Sequence, residues 1–235
     1  MKIIVTCGPS YEPIDQARRL TNFSTGTLGA TLTNALVDAG HEVICLRGVN
    51  ASCPAPIRAP RLERFTTNDD LAERLEKISR EETIDAVFHA AALCNYKVDQ
   101  VLTAGGQAIS SPKFATRGGR LHLVLSPALK VLPKLRAWFP NALIVGWKYE
   151  LAGTSDDAFA KAWQQLSDCS TDACVLKGAA YGKGFAVCRA NGRVTALMEP
   201  PELCAELVRF IEPASLMRVA RIPCKDSDSS TTNQQ

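Results

Sequence analysis

Residues 8–30 read GPSYEPIDQARRLTNFSTGTLGA. An apolar run precedes them, Ile3-Ile4-Val5-Thr6-Cys7, and Leu28 to Val37 follows with helical spacing. The first run predicts a strand and the second a helix. The connection between them is too long for an ordinary strand-to-helix turn and is dense in polar residues and glycine. Such a segment predicts a ligand loop ending at a helix N-terminus. There, free backbone N–H groups and the helix dipole favour a phosphate.

The same alternation continues down the chain. Asp38-Ala39-Gly40 ends the helix at a glycine, and His41 to Gly48 is a second strand, completing a βαβ unit with a right-handed crossover. Residues 49–60 carry three prolines and read as loop. Leu62–Thr66 predicts a third strand, and Thr67 or Asn68 caps a helix running to about Arg80. Asp85–Leu93 is apolar throughout and predicts a strand covered on both faces. Residues 98–120 read as a long loop, 121–125 as a strand, and Pro127–Phe139 as a helix. Ala142–Glu150 is a strand, Thr154 or Ser155 caps a helix to Leu166, and Asp172–Leu176 is another strand. Asn191-Gly192 between 185–189 and 194–198 predicts a type I′ hairpin. Glu202–Ile211 closes the fold as a helix.

Strands alternating with helices predict an α/β fold, a doubly wound, mainly parallel sheet with a C-terminal β-hairpin. Ligands of such sheets bind beyond the carboxyl ends of the strands. The polar ends collected there are Gly8–Ser24, Asn95–Lys97, Lys148–Glu150 and Lys177–Gly184. One domain is expected over 1–215, followed by a polar, disordered tail over 216–235.

Composition narrows the function. The chain has 235 residues, 46% of them hydrophobic, and a net charge of +3, which demands neither nucleic acid nor an anionic membrane. No apolar run of about 18 residues predicts a membrane span. The nine cysteines form no CxxC pair and no zinc spacing, so reduced cysteines in a cytoplasmic protein are expected and no metal site is assigned.

Each candidate has a bland reading beside it. Ser24-Thr25-Gly26-Thr27-Leu28-Gly29 suits a phosphate or a plainly capped helix, but matches neither a P-loop nor GxGxxG. Gly26 would admit a ligand to the backbone and Gly29 would let the helix pack closely on the sheet. Of Arg18 and Arg19, one suits a phosphate or carboxylate and the other reads as solvated. Asn22 could donate to a developing oxyanion or merely tie its loop. Lys148 and Glu150 share a strand face, as ligand contacts or as a solvated strand end. His89 reads as a hydrogen-bonded core histidine.

The first stretch resembles the signature of the phosphopantothenoylcysteine synthetase (phosphopantothenate–cysteine ligase) family, the synthetase domain of DNA/pantothenate metabolism flavoproteins. The family's loop Gly-Pro-[Ser/Thr]-x-Glu-Pro-Ile-Asp stands here as Gly8 to Asp15. Its Arg stands as Arg18, and its Asn-x-Ser-[Ser/Thr]-Gly-x-x-Gly as Asn22 to Gly29. Ala90 to Tyr96, Leu123 to Pro127 and Val145 to Glu150 are similar to later family segments, and the likeness covers residues 2 to 212.

The resemblance implies a Rossmann-like ligase of coenzyme A biosynthesis. It joins 4′-phosphopantothenate to cysteine through an acyl-nucleotide, with CTP or ATP as co-substrate and Mg²⁺ on the triphosphate. It implies a cytoplasmic homodimer, no FMN, and no fused decarboxylase in this chain. Carried over, Asn22 holds the acyl carbonyl and Arg18 the substrate phosphate. Gly8, Ser10, Ser24, Thr25, Gly26, Ala91, Asn95, Trp147, Lys148, Glu150 and Lys177 bind the nucleotide. The family's flap Lys-Ile stands here as Ala108-Ile109, so Lys113 or Lys97 is expected to replace that lysine, Lys113 being the catalytic candidate. The alternative is a divergent nucleotide- or phosphate-binding homologue with weak or no ligation. A nicotinamide-dependent reductase would want an acidic end to the second strand, which instead ends Arg47-Gly48.

Overall fold

The computed structural model describes residues 1–219. An eight-stranded sheet runs through it, built from β1 (Lys2–Cys7), β4 (Glu42–Gly48), β5 (Arg61–Phe65), β6 (Ala86–His89), β9 (Leu143–Tyr149), β10 (Ala173–Gly178), β11 (Gly182–Arg189) and β12 (Val194–Leu197). Two short strands, β2 (Tyr11–Pro13) and β3 (Arg19–Thr21), form a separate hairpin. Another pair, β7 (Tyr96–Thr103) and β8 (Leu121–Pro127), forms an antiparallel arm.

The sheet order is β12-β11-β10-β9-β6-β1-β4-β5. All pairs from β10 to β5 are parallel, and β11 and β12 add the antiparallel end. The chain winds outward from β1 in one direction and from β6 in the other, so the switch point lies between these two strands. Helices α1 (Thr27–Asp38) and α5 (Pro200–Val219) cover one face, burying Leu32, Leu36, Leu203 and Leu207 against Ile3, Val5 and Phe88. Helices α2 (Asn68–Glu81), α3 (Leu135–Trp138) and α4 (Ser155–Cys169) cover the other. This is the doubly wound α/β architecture expected.

Local chemistry sets the element boundaries. Thr67 caps α2 by accepting the Asp70 amide, and Thr154 with Asp157 forms a full capping box on α4. Gly40, at φ 81°, turns the chain after α1. Gly29 lets α1 lie on β1, since a Cβ there would stand 2.2 Å from Cys7 Cβ. His89 is buried with Nδ1 2.9 Å from Thr6 Oγ1, the core histidine expected.

Several expectations need correction. The connection after β1 is not all loop, because β2 and β3 pair within it. The strand expected over 85–93 ends at His89; beyond it the chain bridges to the glycine-proline turn at Pro9↔Ala92. Residues 96–103 are strand, not loop, and they pair with 121–127 outside the main sheet. After Pro127 the chain makes only a 3-10 turn and the four-residue α3. The hairpin at Asn191-Gly192 is not type I′, which needs positive φ at both central residues; only Gly192 has it, at 86°. Gly192 N–H bonds Arg189 O and Arg189 N–H bonds Arg193 O, a three-residue loop with glycine at its left-handed position. The closing helix runs to Val219, and residues 220–235 of the expected tail lie outside the described residues.

Candidate functional site

The quoted stretch folds around Asp15. Its Oδ1 accepts the backbone amides of Ala17 (2.8 Å) and Arg18 (2.7 Å), fixing the turn between β2 and β3. Its Oδ2 accepts the Phe114 amide (3.2 Å) and the Arg18 guanidinium (3.1 Å). Arg18 Nη2 donates to Phe114 O (2.8 Å) and Gln16 N–H to Pro112 O (3.0 Å). The turn is thereby fastened to the chain returning from the arm. Burial alone would raise the Asp15 carboxyl, but the three amides and the Arg18 charge outweigh it and hold it low.

On the other side of the hairpin lies a cleft of about 630 Å³. Arg19, Thr21, Asn22, Ser24 and Thr25 of the signature stretch line it together with Pro9, Phe23, Asn50 and Ser52. Alternation along β3 places Arg19 and Thr21 on the cleft side and turns Leu20 inward. Arg19 stacks over the Tyr11 ring at 4.8 Å and donates to Asn50 Oδ1 at 2.7 Å. Phe23 is fully exposed at the lip.

The helix start beside the cleft differs from those of α2 and α4. Gly26 is the N-cap of α1 at φ 76°, with no side-chain cap and no acidic residue in the first turn. Thr25 and Thr27 pair their hydroxyls at 2.7 Å. Thr25 Oγ1 also accepts the Thr27 amide at 3.3 Å, and the other amides of the first turn have no side-chain cap; a helix start flanked by hydroxyls and free of carboxylates suits an anion.

Asn22 sits on the wall, with Nδ2 donating to Ala92 O (3.1 Å) and Leu93 O (2.9 Å). Both of its donors therefore tie the loop to the segment that follows β6, and donation to an acyl carbonyl requires exchanging one of them. Gly8 and Gly26 meet backbone to backbone: a Cβ on Gly26 would lie 3.2 Å from Gly8 Cα, and one on Gly8 2.6 Å from Ala51 Cβ. Close packing and a positive φ, 79° at Gly8 and 76° at Gly26, favour glycine at both positions. Ala91 donates its amide to Thr6 Oγ1 (3.3 Å), at the end of β1.

Ser10 lies beneath the site, not in it. It is fully buried, its hydroxyl donating to Asn68 Oδ1 (2.7 Å) and accepting the Cys94 amide (2.8 Å), so no ligand reaches it. Asn68, 1% exposed, also donates through Nδ2 to Cys94 O (2.8 Å) and Leu129 O (2.9 Å). Those carbonyls mark the two roots of the β7–β8 arm. The Asn68 backbone amide bonds the Glu12 carboxyl, which burial pushes upward. Asn68 thus joins the signature loop, α2 and both arm roots. Its only signal in the sequence was its place at a helix cap.

The remaining candidates stand elsewhere on the strand ends, and none lines the cleft. Asn95 is exposed at the arm root and accepts from Lys130 Nζ. Trp147 packs on the α1/α5 face with its indole N–H buried and unpartnered. On that face Lys177 Nζ lies 5.3 Å from the Tyr149 ring. Lys148 and Glu150 share the opposite face, as expected, 3.4 Å apart, and Lys161 reaches Glu150 at 2.5 Å. Burial raises the Glu150 carboxyl, but the two lysines outweigh it and hold it low. Lys113 and Lys97 are exposed on the arm. The nucleotide candidates are therefore split between two faces of the sheet.

The chain is similar to known proteins. The coenzyme A biosynthesis bifunctional protein CoaBC of Thermococcus kodakarensis is 26% identical over 174 residues, 74% of this chain and 40% of that protein. Its Bacillus subtilis counterpart is 27% identical over 186 residues, 78% of this chain and 42% of that protein. The chain thus spans less than half the length of these relatives. Among solved structures, a DNA/pantothenate metabolism flavoprotein from Streptococcus pneumoniae superposes with a TM-score of 0.79 at 22% identity, covering 91% of this chain and 99% of that one. A Cab2 mutant in complex with phosphopantothenate-cysteine superposes at 0.69 and 18% identity, covering 93% and 88%. The family model of the DNA/pantothenate metabolism flavoprotein C-terminal domain matches residues 1–199, and the chain belongs to that family.

Proposed function

We propose that the protein is a phosphopantothenate–cysteine ligase. The observation that carries this reading is the hydroxyl-flanked, carboxylate-free start of α1 beside a polar cleft at the signature hairpin. The substrate carboxylate attacks the α-phosphate of CTP or ATP and pyrophosphate leaves. The cysteine amine then attacks the acyl-nucleotide and displaces the nucleoside monophosphate. Such chemistry depends on positioning and on stabilising negative charge. Ser24, Thr25 and the first amides of α1 are suited to phosphate oxygens. In this reading Asn22 holds the acyl carbonyl after releasing Ala92 or Leu93. Among the described residues no group of three His, Cys, Asp or Glu side chains could hold a metal ion. In this reading Mg²⁺ would come bound to the triphosphate.

The arm supports a homodimer. Its β8 leaves Leu123, Val124 and Leu125 each about 40% exposed in succession, an apolar edge suited to a second copy. The eight cysteines among the described residues are free and buried, in keeping with a reducing cytoplasm. No helix among the described residues is long and apolar enough to cross a membrane.

A second reading, a homologue that binds phosphate or nucleotide without ligating, is favoured by Ala108-Ile109 at the flap position and by the split of the nucleotide candidates. Pyrophosphate release, measured with 4′-phosphopantothenate and either CTP or ATP, separates the two. Release that depends on cysteine supports the ligase. Nucleotide binding without release supports the homologue.

A further inference from the structure

Strand β4 ends at Arg47-Gly48, and the loop that follows it supplies Asn50 and Ser52 to the cleft. We propose that Arg47 is a positioning residue of that cleft: its guanidinium holds residues 48–53 against the start of α1 and so fixes the amides that meet the nucleotide phosphates. The inference rests on the ligase reading above and adds a residue that acts through the loop rather than on the ligand. Arg47 alternates with Val43 along β4, and Val43 packs in the core beneath α1 and α5. Arg47 therefore lies on the face that α1 covers, beside its register partner Cys7.

The guanidinium is engaged with main chain. Its Nη2 donates to Ala51 O at 3.0 Å and to Cys53 O at 2.7 Å, so one nitrogen closes the loop onto the strand it leaves. The loop passes this restraint on to α1 by two routes. Ala51 is seated against both glycines, since a Cβ on Gly26 would stand 3.1 Å, and one on Gly8 2.6 Å, from Ala51 Cβ. Cys53 N–H donates to Thr25 O at 2.9 Å, one residue before the Gly26 N-cap. A third link runs to β3, where Asn50 Oδ1 accepts the Arg19 guanidinium at 2.7 Å. Arg47 Nε is buried without a partner. An arginine resting on the surface would keep that donor in water; here the side chain is inserted, and the fold bears an unpaired donor to place Nη2 between two carbonyls. Without Nη2 both carbonyls turn to water, Ala51 can leave the glycine pair, and the first amides of α1 lose their fixed direction.

Arg47→Met keeps the aliphatic stem and removes the donors, whereas Arg47→Lys returns one nitrogen able to serve both carbonyls, as Nη2 does. Pyrophosphate release is measured on the full chain with 4′-phosphopantothenate, cysteine and CTP or ATP. Arg47→Met should raise the nucleotide KM about tenfold with the cysteine KM held within about twofold, and Arg47→Lys should return it to within about threefold of wild type. Hydrogen exchange should quicken at the Ala51 and Cys53 amides of Arg47→Met and stay unchanged along β1 and β6. Ala51→Gly, which removes the seated methyl, should raise the nucleotide KM in the same direction, and it decides the matter should Arg47→Met not fold. A merely structural role predicts a lower melting temperature with every KM of the folded protein unchanged. That result, or a loss shared equally by all three substrates, overturns the inference and leaves the ligase reading intact. A wild type that binds nucleotide but releases no pyrophosphate overturns the ligase reading alone; the nucleotide Kd from calorimetry should then show the same rise and the same rescue, and a Kd unchanged in Arg47→Met overturns the inference as well. A wild type that binds no nucleotide overturns both.

Discussion

Replacing Asn68 by alanine removes three side-chain hydrogen bonds at once from a residue 1% exposed. Ser10 Oγ loses its acceptor, and the carbonyls of Cys94 and Leu129 lose their donor. A buried polar group left without a partner costs about 1–3 kcal/mol. Rotation of the Ser10 hydroxyl and entry of water into the vacated space offset part of this, so the expected loss is about 3–5 kcal/mol. For a domain of this size that lowers the melting temperature by about 6–20 °C. Ser10→Ala alone should cost about 1–3 kcal/mol. The double variant should lose less than the sum by at least about 1 kcal/mol, because the two share a bond. Urea unfolding of the four proteins gives these values, and hydrogen exchange should show faster opening of the β7–β8 amides in Asn68→Ala. A loss below about 1 kcal/mol for Asn68→Ala, or strict additivity, refutes the claim that this residue clasps the arm roots. Ser10→Ala also decides the place of Ser10: a change in nucleotide affinity without loss of stability would return it to the binding site.

Two further outcomes follow from the core. Burial holds the His89 imidazole neutral, its pKa pushed down to about 4 from an ordinary 6.5. The unfolded chain therefore binds the extra proton first. Stability is intact above pH 6.5 and falls by about 3 kcal/mol as pH drops toward 4, a limb that His89→Gln should flatten in urea titrations. Gly29→Ala places a Cβ 2.2 Å from Cys7 Cβ, so α1 must lift from β1 at a cost of about 1–3 kcal/mol. An unchanged unfolding midpoint would show that the helix is not seated as described.

What could be read from the chain follows from where the information is local. Apolar runs such as Ile3–Cys7 and Ala142–Glu150, and caps such as Thr67 and Thr154, carry their signals within a few residues, and those elements stand where expected. The arm does not. Residues 96–103 are a strand only because 121–127 lies beside them, and polar side chains along the exposed arm masked the pairing. Gly26 read in sequence as a place where a ligand could approach the backbone, whereas in the fold both it and Gly8 pack against Ala51, brought there from another segment. Residue type alone does not distinguish Arg18 from Arg19; the Asp15 turn, and the alternation of a three-residue strand that only pairing with β2 reveals, send them to opposite sides. Asn68 and Ser10 lie 58 residues apart in sequence and meet only in three dimensions.

The most direct test of the account joins its three substrates in one reaction. The protein is incubated with 4′-phosphopantothenate, cysteine and CTP or ATP, and the products are followed by mass spectrometry. The account predicts 4′-phosphopantothenoylcysteine with one nucleoside monophosphate and one pyrophosphate per amide formed, and accumulation of the acyl-nucleotide in Asn22→Asp. Nucleotide left unconsumed in the presence of all three, by a folded protein that binds it, would contradict the ligase assignment.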